Sequence, residues 1–148
     1  LRSIAVKKRS NKYRIRYNKN KFKKFDKIYN LNFFKSMVKK IDNKKLFFMK
    51  KIYTLKKNGY TICGIGAGAK ANTFLTYYNL NNTIVKFLTD SSKFKQNKFT
   101  PLTRIQIKDD KEIKKYKKIA CIILSWNISS LVIKKIKKLN KNIKILYT

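Results

Sequence analysis

The spacing of hydrophobic and polar positions changes near residue 59. From 28 to 57 apolar side chains recur at helical spacing, which predicts one long helix or two shorter ones divided at Asp42 and Asn43. Asn58 and Gly59 are typical of a helix end. Beyond them, short apolar runs alternate with segments of helical period. This pattern predicts strands at 60–65, 83–89, 104–107, 119–124 and 143–147, and helices at 68–78, 109–117 and 129–139.

Alternating strands and helices are typical of a parallel sheet. We therefore expect an α/β fold over residues 59–148, with a Rossmann-like, mostly parallel sheet and helices on both faces. The strand after Gly59 should be central, and the strand of Cys63 should lie beside the strand of Cys121. Residues 1–58 should form a basic helical appendage, with short strands predicted at 1–8 and 13–17 and a charged linker around the second.

The charge of the chain is extreme, with 39 basic and 6 acidic residues and a net charge of +33. Such an excess indicates nucleic acid or an anionic membrane as a partner. We favour a biased codon usage as the explanation, because Lys, Ile, Asn, Phe and Tyr share A/T-rich codons and the mixture then needs no selection for a polyanion. The basic residues are 34 Lys and 5 Arg. Arg makes most bidentate contacts to phosphates and bases, so its scarcity disfavours nucleic acid.

Few residue types that bind metals are present. The chain has two cysteines, Cys63 and Cys121, in separate apolar runs, and no histidine. This composition fits a reduced, cytoplasmic protein better than a disulfide framework, and it provides no structural zinc site. The longest apolar run, 119–124, is too short to cross a membrane. The first residue is Leu1 rather than Met, so we expect either a piece of a longer protein or an alternative start codon.

A glycine-rich turn lies between the first strand and the helix that follows it. Gly64, Gly66 and Ala69 fit the pattern G-x-G-x-x-G/A, in which small residues allow a tight turn and close approach of a ligand to the backbone. The start of the helix then favours an anion. Lys70, Asn72 and Thr73 add a charge and hydrogen-bonding groups in the first turn of the helix. A purely structural role for the glycines remains an alternative.

Further polar residues follow the other strands, where ligands of open α/β sheets bind. Asp90 stands where a ribose-binding acid lies in dinucleotide folds, or it orders its own loop. Thr103 and Arg104 end a long loop, and Arg104 is a candidate phosphate ligand. Alternatively, the loop is only a solvated connection in which Pro101 fixes a turn. Trp126 offers a flat face for a base or sugar. Asn127 is either a ligand contact or the cap of the next helix.

Four of these stretches resemble, in order and spacing, the C-terminal domain of sugar C-methyltransferases. They are 64–75 (GIGAGAKANTFL), 87–95 (FLTDSSKFK), 99–107 (FTPLTRIQI) and 122–127 (IILSWN). The resemblance covers about 60–148, and 1–58 are similar to the end of the preceding catalytic domain and its connecting helices. The chain departs from the family at Ser91 and Ser92, where Arg-Asn is common, and at Ala71, where Gly is common.

The resemblance implies a domain that helps to hold a nucleotide-linked deoxysugar in an S-adenosylmethionine-dependent enzyme. In the family, zinc, S-adenosylmethionine and the catalytic groups belong to two other domains without a counterpart in these 148 residues. We therefore expect no cofactor on this chain and no complete catalysis by it alone. Its partners would be the nucleotide-linked sugar and the missing methyltransferase domains, in cis or in trans. Glu112, the one glutamate, is no convincing general base.

Two other functions fit part of the sequence. A small basic nucleic-acid-binding or ribosome-associated protein fits the charge, and an NAD-dependent enzyme fits the glycine turn alone. If the chain is instead the substrate-binding domain of a sugar C-methyltransferase, its substrate-binding residues are expected to border one crevice at the carboxyl edge of the sheet. They are Gly64, Gly66, Lys70, Asn72, Thr73, Asp90, Thr103, Arg104, Trp126 and Asn127.

Overall fold

A computed structural model describes residues 30–147, and the strands predicted at 1–8 and 13–17 lie outside this range. Within residues 30–147, five strands, all pairing in parallel, form one sheet in the order β3-β2-β1-β4-β5. In chain order the elements are α1 (Leu31–Lys57), β1 (Thr61–Ile65), α2 (Ala69–Tyr77), β2 (Phe87–Thr89), β3 (Ile107–Lys108), a 3-10 helix (Asp110–Lys115), β4 (Ile119–Ile123), a 3-10 turn (Trp126–Ile128), α3 (Ser129–Leu139) and β5 (Ile143–Leu146). The α/β fold predicted from the sequence is confirmed, with β1 central.

Side chains of β1 alternate between two hydrophobic clusters, as the period of a strand requires. Ile62 packs with Ile52 of α1 and Leu75 of α2 on one face of the sheet. Cys63 packs on the opposite face, with Ile136 of α3. Helices therefore cover both faces, and burial of the apolar strands against them is the main force that stabilises this domain.

The long helix α1 runs without interruption through Asp42 and Asn43. The chain nevertheless divides into two compact units at this point, Leu1–Asp42 and Asn43–Thr148. Within the second unit, Phe48, Ile52 and Leu55 recur at helical spacing and are buried. The helix ends as its sequence predicts: Gly59 has a φ of 78°, and the N–H of Tyr60 bonds to the carbonyl of Leu55 at 3.0 Å.

Two strands are shorter than their apolar runs predict. The residues before β2 form a turn, in which the amide and the hydroxyl of Thr83 both donate to Oδ1 of Asn81. Before β3, Leu102 and Arg104 adopt positive φ values of 59° and 50°, so the chain reaches its neighbour only at Ile107. Local turn chemistry therefore shortens both strands.

The strands of Cys63 and Cys121, β1 and β4, are neighbours as predicted, and the two cysteines are register partners. Their Sγ atoms lie 3.1 Å apart and are free thiols in the core. Burial, reinforced by the neighbouring Cys121 thiol, raises the pKa of Cys63 well above its usual value. Across residues 30–147, no helix combines the length and the apolar character that crossing a membrane requires.

Candidate functional site

The glycine turn between β1 and α2 contains glycines with three different surroundings. At Gly64, an added Cβ would lie 2.5 Å from Cδ2 of Leu88 and 2.8 Å from Cδ1 of Leu124. These side chains belong to the core cluster around α2. Gly64 is thus required by the packing of neighbouring strands, because any larger residue displaces their side chains.

Gly66 is required by the backbone. Its φ is 95°, and a Cβ would approach Oγ of Ser125 to 1.8 Å. Its N–H donates to the carbonyl of Thr89 at 2.7 Å, while the N–H of Leu124 donates to the carbonyl of Ile65 at 3.0 Å. The turn therefore joins the carboxyl ends of β1, β2 and β4, and no open space for a ligand lies at this Cα.

Gly68 is the glycine that faces open space. It caps α2 in an extended conformation, with a φ of −96°, and no side chain bonds to the helix start. Nothing lies within 4 Å of the position that a Cβ would take. Within residues 30–147, the N–H groups of Ala69 and Lys70 have no acceptor, as is usual for the first turn of a helix. These two N–H groups are available to an anion.

Asp90 binds the glycine turn itself. Its Oδ2 accepts from the N–H of Ala67 at 2.9 Å and from Nζ of Lys95 at 3.0 Å, and its Oδ1 accepts from the N–H of Ser92 at 2.9 Å. Burial alone would raise the pKa of Asp90, but these three donors together lower it below its usual value. Of the two roles that the sequence left open, the structure supports the ordering of the loop.

A groove of about 420 Å³ lies between the start of α2 and the segment after β4. We call it the α2 groove. Lys70, Trp126 and Asn127 line it, together with Gly68, Ala69, Ala71, Leu124, Ser125 and Ile128. Asn127 is exposed within the 3-10 turn, and no side chain caps α3. The capping role considered for Asn127 is therefore not observed, and Asn127 stays available to a ligand.

Aromatic side chains continue the α2 groove. The ring of Trp126 meets that of Phe74 edge to face at 6.2 Å, and Phe74 stacks on Tyr78 at 4.1 Å. These three residues line an adjoining cavity of about 440 Å³, together with Ile123, Ser129 and Tyr147. The apolar spacing of the sequence predicts Phe74 and Tyr78 only as members of the helix at 68–78. Their spacing with Trp126 depends on the pairing of β1 with β4, which no local pattern shows.

Gly66 and Asp90 border a different, smaller cavity of about 180 Å³, on the side of the sheet that α3 covers. Lys135 lines this cavity and forms an ion pair with Asp110 at 2.6 Å. The hydroxyl of Thr89, also in its lining, is buried without a partner in the described residues. Thr89 directly precedes Asp90 at the end of a predicted strand but is not among the predicted site residues, because a threonine inside a strand gives no functional signal.

Asn72 and Thr73 lie on α2 outside the lining of the α2 groove. The hydroxyl of Thr73 bonds to the carbonyl of Ala69, one helical turn back, at 3.4 Å. Oδ1 of Asn72 is buried and has no hydrogen-bond partner within the described residues. The structure thus brings Lys70, Trp126 and Asn127 together and leaves these two neighbours of Lys70 aside.

Thr103 and Arg104 lie at the opposite, amino edge of the sheet. The carbonyl of Thr103 accepts from the N–H of Asn82, which precedes β2, at 3.3 Å. The expectation that both residues border the crevice at the carboxyl edge is therefore wrong in its geometry. Because β3 runs parallel to β2, the loop must return to the amino edge, and these residues stand at its end. A buried hydrogen bond of 2.6 Å between the hydroxyls of Thr100 and Thr103 fixes the turn.

Comparison with known proteins assigns the chain to a family. The model of the C-methyltransferase C-terminal domain matches residues 3–146. A search of curated proteins found no match. Among the described residues, no group of three or more His, Cys, Asp or Glu is arranged to hold a metal ion. Nearly the whole sequence is thus accounted for by one domain type, and the chain belongs to the C-methyltransferase C-terminal domain family.

Proposed function

We propose that this domain binds a nucleotide-linked sugar in the α2 groove, as part of a sugar C-methyltransferase. The single observation that carries the proposal is the composition of that groove. It combines unpaired N–H groups at the start of α2, the ammonium of Lys70 and the flat ring of Trp126. A diphosphate needs the N–H groups and the ammonium, and the ring of a sugar or base packs on the ring of Trp126.

Each polar group has a separate role in this proposal. The N–H groups of Ala69 and Lys70 donate to phosphate oxygens without displacing a side-chain cap, because α2 has none. The ammonium of Lys70 neutralises the phosphate charge. Trp126, with 40% of its surface exposed, presents a face to the ligand, and Asn127 adds an amide that donates and accepts. Together they orient the ligand along the carboxyl edge of the sheet.

The residues of this chain hold the substrate rather than transform it. The α2 groove is lined by no carboxylate. The chain has no histidine, so we assign deprotonation of the sugar carbon to the other methyltransferase domains, in cis or in trans. S-adenosylmethionine, when bound in the enzyme, supplies the methyl group.

The glycine turn does not suit a nucleoside cofactor. In adenosine-binding sites of this fold class, an acid after β2 receives the ribose and small residues leave room at the turn. Here Asp90 is already occupied by Ala67, Ser92 and Lys95. The space at Gly64 and Gly66 is filled by side chains of β2 and of the residues that directly follow β4. We therefore place S-adenosylmethionine outside this chain, and the same argument disfavours an NAD-dependent enzyme.

Lys70→Ala should weaken the binding of a nucleotide-linked sugar by about 1–3 kcal/mol, the usual range for losing a charged hydrogen bond. Isothermal calorimetry with the parent and the variant measures the difference directly. Lys86→Ala is the matched control, because Lys86 is exposed just before β2 and far from the carboxyl edge. Equal losses of affinity in both variants would show that the ligand is attracted only by the general positive charge. Equal affinity of all three proteins would contradict the assignment of the site.

A further inference from the structure

The strand β5 is an open edge beside the second half of α1. Within residues 30–147 it pairs only with β4, so its outer N–H and C=O groups face away from the sheet. Between β5 and α1 lies a groove of about 510 Å³, whose lining includes Phe47, Lys50, Lys51, Lys144 and Ile145. We call it the β5 groove. Phe47 leaves 74% of its surface exposed, which is unusual for a large aromatic side chain beside a free strand edge.

The charge around the β5 groove has one sign. In the sequence from 43 to 147 the four carboxylates are Asp90, Asp109, Asp110 and Glu112, all between β2 and the end of the 3-10 helix. The sheet order places β2 and β3 away from β5. No carboxylate therefore lines the β5 groove, where Lys50, Lys51 and Lys144 surround an apolar floor. A ligand that fits needs negative charges spaced around hydrophobic groups.

From these observations we propose that the β5 groove docks an extended, acidic segment of another polypeptide. The segment adds to β5 as a sixth strand, so its backbone pairs with the free edge. Its side chains alternate, and the set on the α1 side of the sheet carries both the apolar groups that pack on Phe47 and the carboxylates that meet Lys51 and its neighbours. Backbone pairing gives affinity, and the lysines select the charge of the partner.

Other occupants fit less well. A second copy would bring the same lysines against each other, because a two-fold contact sets each patch on itself. The first 29 residues of this chain are also strongly basic, with Asp26 as their one carboxylate. Nucleic acid matches the charge but neither the strand edge nor the apolar floor, and the groove lining contains no Arg.

The test uses a capped peptide in which isoleucine and glutamate take turns at every second position, with threonine between them, titrated into the ¹⁵N-labelled chain. We expect the largest amide shifts along β5, at Lys144 and Ile145. Phe47→Ala should weaken this binding about tenfold, because the exposed ring is covered in the complex. Lys51→Glu should weaken peptide binding more than Phe47→Ala does, because the new carboxylate repels the glutamates of the peptide. Leu131→Ala and Lys134→Glu, exposed on α3, are the matched controls and should leave the affinity unchanged.

A peptide of the same composition with a central proline separates strand pairing from charge attraction, because proline removes a backbone donor. It should bind much more weakly. Equal binding of both peptides, or equal loss in the α1 and α3 variants, would overturn the proposal in favour of general attraction. A DNA duplex that shifts the same β5 amides more strongly, or self-association that Phe47→Ala abolishes, would replace the partner by nucleic acid or by a second copy.

Discussion

Gly66→Val should destabilise the domain by about 3 kcal/mol or more, through a clash in the core and a strained backbone. The φ of 95° is rarely adopted by residues with a Cβ, and the added atom would approach Oγ of Ser125 to 1.8 Å. Since Gly66 links the ends of three strands, a shift of this turn disturbs β2 and β4 together. Urea denaturation followed by circular dichroism measures the loss.

Two variants make this prediction specific. Gly68→Val adds the same side chain two residues on, at an ordinary φ of −96° and into open space, so the loss of stability should be limited to the roughly 1 kcal/mol that valine costs at a helix N-cap. Gly66→Ala combined with Ser125→Gly removes the clash with Oγ but leaves the backbone strain of the positive φ. The double variant should therefore recover only part of the stability that Gly66→Val loses. If Gly66→Val were as stable as the parent, the conformation of the turn would be wrong. Gly66 is therefore unsuited to probing ligand binding alone.

Asp90→Ala should cost about 2–3 kcal/mol of stability at neutral pH, because the N–H groups of Ala67 and Ser92 lose their acceptor. The carboxylate side chain is only 13% exposed, so water replaces it poorly. Asp90→Asn keeps a hydrogen-bond acceptor without the charge, so its free energy of unfolding should lie between those of the parent and Asp90→Ala. Urea unfolding of the three proteins at one pH gives the order.

The contribution of Asp90 has a defined pH dependence. Its pKa in the folded protein is lowered from an ordinary value of 3.8, so the stabilisation is fully present above that value. It is lost as the pH falls below 3.8 and through the lower folded pKa. The difference in unfolding free energy between parent and Asp90→Ala should therefore shrink in acid. A difference that stays constant down to strong acid would contradict the hydrogen-bonded carboxylate.

The succession of strands and helices along the chain was predictable because each apolar run is short and most intervening segments have helical period. The central place of β1 and the adjacency of the strands that hold Cys63 and Cys121 followed from the resemblance of this alternation to a Rossmann-like sheet, whereas the register that sets the two cysteines opposite each other did not. The actual length of β3 was not predictable. It depends on positive φ values at Leu102 and Arg104, residues whose types give no sign of that conformation.

The site was predictable in part, for a related physical reason. A glycine in a sequence shows that a side chain is excluded, but not whether a neighbouring side chain or a ligand fills the space. In the turn between β1 and α2, the space at Gly64 is filled by Leu88 and Leu124 and the space at Gly66 by Ser125, and only Gly68 faces open space. Similarly, Arg104 follows a long loop in the sequence, and only the parallel pairing of β3 shows that this loop returns to the amino edge.

The central claim is that the α2 groove binds a nucleotide-linked sugar, and amide chemical-shift mapping during a titration tests it most directly. The proposal predicts saturable shifts at Gly68, Ala69 and Lys70 and at Trp126 and Asn127, with little change along β5. In Gly68→Val, which should remain folded, the same shifts should need at least about tenfold more ligand, a loss of ~1.4 kcal/mol. Shifts spread over exposed lysines on every face, or no saturable shifts at these residues, would contradict it.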